Sequence, residues 1–148
     1  MSSKVKWGGM AGVAAAALLI LSAILYQIHP VPRTYDSAVS YVYLWVVLAA
    51  YIAVIIAVLG IHALHSGRPR YGRLGATGTV LTIVGYAIIA ITTVISMAQG
   101  HASLLTIRLS GAVVLLIGSA LLGVIIIRAR LLPWWCGILL IVAFPLDD

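Results

Sequence analysis

Four histidines, one cysteine and a single arginine inside an apolar run are the residues with chemistry to offer. His62 and His65 are three apart, so on a helix they share a face. With Cys136 they would supply the nitrogen and sulfur ligands that a borderline metal ion takes. His29 and His101 could flank a haem. Neither set has the recurrent spacing of a ligand motif, and interfacial histidines also serve simply as polar helix ends. The reading adopted is therefore no metal and no cofactor.

Arg108 is the one charge within an apolar run. It falls about a turn from the end of its segment, where a long side chain can reach water while its stem lies in lipid. Around it the sequence places a polar rim of Gln27, His29, Arg33, Asp36, Gln99 and His101. Such a rim could receive an anionic ligand or a lipid headgroup, with Asp36 as counter-ion to Arg108. Solvated helix ends look the same, and the rim is a ligand site only if the fold gathers it.

Much chemistry is excluded outright. The chain has no Glu and only three acids, Asp36, Asp147 and Asp148, none within an apolar run. A proton-coupled carrier built on a membrane-embedded carboxylate is thereby ruled out. Lys4 and Lys6 are the only lysines and precede the first run, so no lysine Schiff base can form within the membrane. Phosphate-binding glycine loops, nucleophilic triads and nucleic-acid motifs are also missing.

The elements that must position these residues follow from composition. Of 148 residues 64% are hydrophobic and 8% charged, with a mean hydropathy of +1.19. A water-soluble domain of this size could not hide that much apolar surface. The expected fold is all-α, a polytopic transmembrane helical bundle forming a single integral membrane domain over 1–148. Four runs exceed the roughly 18 apolar residues that a span needs, over 7–28, 38–64, 74–98 and 104–127. A fifth apolar helix over 133–145 is short for a span, and the chain reads as part of a longer five- or six-helix protein.

Seven basic residues (Lys4, Lys6, Arg68, Arg70, Arg73, Arg128, Arg130) fall on one side of this layout, against Arg33 and Arg108 on the other. The positive-inside rule then predicts a cytoplasmic N-terminus. The same rule explains the net charge of +6 without nucleic acid as a partner. Trp7, Tyr71, Trp134 and Trp135 are expected as aromatic anchors of the inner interface, and Tyr35, Tyr41 and Tyr43 of the outer one.

Lipid provides no hydrophobic drive between helices, so small residues must let backbones approach. The predicted packing positions are Gly8, Gly12 and Ala16 in the first helix, Gly75 and Gly78 in the third, and Gly111, Gly118 and Gly123 in the fourth. Thr79 and Thr82 are not expected to share a face with Thr77, Thr92 and Ser96, so no continuous polar stripe is predicted. Glycines 8, 72 and 137, and 60 and 123, recur at about 64 residues and suggest a two-helix repeat.

The stretch Arg130-Leu-Leu-Pro-Trp-Trp-Cys-Gly-Ile-Leu-Leu-Ile resembles a helix start found in small bacterial multi-pass membrane proteins of unknown function. Gly8-Gly9-Met10-Ala11-Gly12 has the same character. The resemblance covers about a fifth of the chain and implies a bacterial inner-membrane setting, with no residues or activity to carry over. The functional expectation is a non-enzymatic structural, accessory or partner-binding bundle. Its partners would be the lipid bilayer and other membrane proteins or a second copy. The alternatives are a small transporter or channel subunit acting as an oligomer, and a haem- or quinone-linked redox subunit.

Overall fold

A computed structural model describes residues 3–28, 35, 37–65, 71–102 and 104–129. The expected fifth helix over 133–145 lies outside them. Within them the chain is four long helices: α1 (Ser3–Ile28), α2 (Ala38–His65), α3 (Gly72–Gln99) and α4 (Leu105–Ala129). At 25 to 28 residues each, they are roughly 37–42 Å long, enough to cross a hydrocarbon core of about 30 Å. All four carry windows apolar enough to span a membrane. The observed bounds depart from the expected ones by four residues or fewer, the largest difference being the early start of α1.

The helices lie in a row. α1 packs along α2, α2 along α3 and α3 along α4, whereas no Cα of α1 comes within 8 Å of α3 or α4, nor of α2 with α4. Two hairpins are thus joined through a lighter α2–α3 seam, and among the described residues α1 has a single helical neighbour.

The α3–α4 seam follows seven-residue spacing. In α3 the buried positions 75, 78, 82, 85, 89, 92 and 96 alternate steps of three and four. In α4 the buried series 111, 115, 118, 122 and 125 does the same. That alternation belongs to left-handed helix packing. The α3 seam is Gly, Gly, Thr, Gly, Ile, Thr, Ser, small enough to bring α4 in close. Gly78 faces the backbone of Gly118 and Leu122, Gly118 faces the amide of Thr82, and Gly85 faces Leu115.

In α1 the buried series is Gly8, Ala15 and Ser22. Gly12 is half-buried, 3.7 Å from Ala57 Cβ by the reach of an added Cβ, and Ala16 is exposed. Steps of four advance about 400° and drift off a straight contact line, whereas a step of seven nearly closes two turns. For that reason Ala15, and not Ala16, continues the face that begins at Gly8.

Of the glycines that suggest the repeat, 60 and 123 are both buried, whereas 8 and 72 differ in their surroundings. Gly8 is packed against Gly60, but its counterpart Gly72 is exposed, has φ +45°, and has nothing within 4 Å of an added Cβ.

Candidate functional site

Where α2 ends and α3 begins, three ring side chains meet. Tyr71 immediately precedes α3 and is 2% exposed. Gly75, one turn later, makes this possible: an added Cβ there would sit 2.6 Å from the tyrosine ring. Val58, Leu122 and Ile125 complete the apolar wall around the ring. Sequence reasoning took Tyr71 for an interfacial anchor. The signal that it turns inward is the glycine four residues on, which leaves a ring-sized gap on its own helix face.

The tyrosine hydroxyl is the hub of a short chain of hydrogen bonds. His62 Nδ1 is 3.1 Å from it and Thr79 Oγ1 2.5 Å. Burial pushes the Tyr71 hydroxyl above its ordinary pKa, opposed by the hydrogen bond with Thr79, so the group is a neutral phenol at physiological pH. The rings of His62 and His65 pack against the Tyr71 ring at centroid separations of 5.5 and 5.7 Å.

His65 is fully buried. Its Nδ1 lies 2.7 Å from the carbonyl oxygen of Ile61 one turn back. A carbonyl only accepts, so Nδ1 carries the hydrogen and donates. The other nitrogen, Nε2, is buried with no hydrogen-bond partner. Cys136, the third member of the sequence-derived trio, lies outside the described residues. Among the described residues no three His, Cys, Asp or Glu side chains come together.

At the opposite end lie the described members of the predicted polar rim, Gln27, Gln99, His101 and Arg108. Gln27 is exposed near the end of α1, while Arg108 is half-buried in the first turn of α4, two helices that do not touch. Gln99 and His101 are exposed between them, with His101 Nδ1 2.9 Å from the Gln99 carbonyl. His29, Arg33 and Asp36 lie outside the described residues. What does join here is backbone: the Tyr35 amide donates to the Gly100 carbonyl at 2.7 Å. Gly100 ends α3 in the left-handed conformation (φ 69°) that glycine adopts at little cost, its own amide bonding to Met97.

Thr79, Thr82, Thr92, Thr93 and Ser96 are all buried on α3, while Thr77 is exposed. These hydroxyls form two groups, at 79 and 82 and at 92, 93 and 96, separated along the seam by Gly85 and Ile89, so the strip is not continuous. It is not lined up for conduction. Thr82 donates to Gly78, and Thr92 and Thr93 both donate to Ile89, so these hydroxyls are spent on their own helix backbone.

No family model matches the chain, and no curated protein or solved structure shows significant similarity to it.

Proposed function

We propose that the chain is a non-enzymatic accessory protein of the bacterial inner membrane, entering from a cytoplasmic N-terminus and binding another membrane protein or a second copy through α1. One observation carries this reading. Beside the seam α1 uses against α2, a second series of small residues, Gly9, Ala16 and Ala23, runs at the same seven-residue spacing and is exposed. Lipid contact asks for no small residues, whereas helix association in lipid depends on them. Among the described residues α1 packs on α2 alone, which leaves this second seam open there. The hydroxyls of α3 that satisfy their own carbonyls speak against a conducting role, and the absence of any acid from the four helices against proton coupling.

The test is a triple substitution, Gly9→Leu, Ala16→Leu and Ala23→Leu, compared with the parent in lipid nanodiscs by mass measurement. A photo-crosslinker at exposed Val13 in native membranes gives the second readout. The reading expects the parent to give an oligomer or a discrete adduct, and the variant to lose it at unchanged melting temperature. A parent that is monomeric and gives no adduct overturns it, as does solute flux in proteoliposomes.

A further inference from the structure

We propose that His62 and His65 form a two-histidine site for a borderline divalent transition-metal ion, of the Zn2+ or Ni2+ class, at the end of α2. The inference begins with the unpartnered Nε2 of His65. A buried acceptor without a donor is costly, and native proteins rarely leave one so. Because Nδ1 donates to the Ile61 carbonyl, Nε2 presents a bare lone pair. That is the tautomer and the backbone tether found on metal-binding imidazoles, where the second nitrogen is held by a carbonyl.

His62 can be read the same way. With Nδ1 donating to the Tyr71 oxygen and the Tyr71 hydroxyl donating on to Thr79, every member of the chain has one role and His62 Nε2 is also a lone pair. The two imidazoles lie three residues apart on one helix face and against one tyrosine ring. Side chains at that spacing have Cβ atoms about 5–6 Å apart, within reach of a common ion. Two neutral nitrogens suit zinc, nickel or copper and not the oxygen-seeking magnesium or calcium. Tyr71 is the positioning residue, and water or a small anion would complete the coordination shell.

The experiment uses the full chain purified in nanodiscs with a tag free of histidine, exposed to Zn2+ and washed, with bound metal measured by mass spectrometry. Co2+ in its place gives an absorption spectrum that reports nitrogen ligation. The expected result is one ion per chain. His62→Ala and His65→Ala should each lose it, Tyr71→Phe should weaken binding about 10- to 100-fold, and His101→Ala should bind as the parent does. His62 is only half-buried, so its variant keeps the fold if His65→Ala does not. No stoichiometric uptake by the parent overturns the proposal, as does undiminished uptake by His62→Ala, or a loss in His101→Ala equal to that in His62→Ala.

Discussion

Gly8 of α1 and Gly60 of α2 meet backbone to backbone: a Cβ added to either would lie 2.5 Å from the α-carbon of the other. No side chain in between can give way. The two hairpin helices are therefore in contact at the level of the main chain near the end where α1 begins, and only glycine on both sides allows it.

Gly60→Ala should accordingly destabilise the α1–α2 hairpin by about 1–3 kcal/mol, the usual cost of forcing a methyl into a packed contact. Gly9→Ala, one residue from the contact and with nothing within 4 Å, should be neutral or slightly stabilising because alanine favours helix. Thermal melting of the two variants in one detergent checks the contrast. Equal melting temperatures would mean that the crossing point lies elsewhere.

The α3–α4 seam should rank its glycines by what each Cβ would strike. At Gly118 and Gly85 it meets backbone, of Thr82 and Leu115 respectively, whereas at Gly111 the nearest atom is a side-chain carbon of Ile88. Alanine at 118 or 85 is expected to cost more than at 111, where the isoleucine can shift. Melting temperatures in the order parent, Gly111→Ala, then the other two express this outcome.

Thr82→Val should be well tolerated. The threonine hydroxyl bonds only its own Gly78 carbonyl, and interhelical polar contacts in membranes average only about 0.6 kcal/mol. Tyr71→Phe should cost more, about 0.5–1.5 kcal/mol, because it strips His62 and Thr79 of a shared partner. Unfolding in a denaturing detergent series compares them directly.

The raised pKa of Tyr71 also has a sign. Burial is the larger cause, with the Thr79 hydrogen bond opposing it. A folded-state value above the unfolded one favours the folded form while both are protonated. The contribution is therefore whole below the ordinary tyrosine value of 10.0 and is lost as pH rises through the higher, folded value. In a difference titration of the parent against Tyr71→Phe, the tyrosinate absorbance that the substitution removes should be a fraction that appears above pH 10.0.

The sequence made the helices legible because lipid demands long apolar runs, and nothing else in a chain of this composition competes with that signal. Their packing was harder. Gly8, Gly78 and Gly118 stood out as small residues, but the step from Gly12 to Ala16 followed four-residue spacing where the helices pack on seven. The polar site was legible only in part. His62 and His65 share a face by spacing alone, whereas Tyr71 joins them from the start of α3, a tertiary placement of which Gly75 shows only that there is room for the ring. Of the rim around Arg108, Gln27 is set apart because α1 and α4 do not touch.

The bond from the Tyr35 amide to the Gly100 carbonyl has a mechanical meaning. Covalent chain links α2 to α3 at one end of their shared seam, and this bond fastens the same two helices at the other. Two rods joined at one end only can splay like the legs of a compass, but rods fastened at both ends cannot. Relative movement of the two hairpins is thereby confined to rotation about that seam, and a splaying apart of α2 and α3 would first have to break the latch.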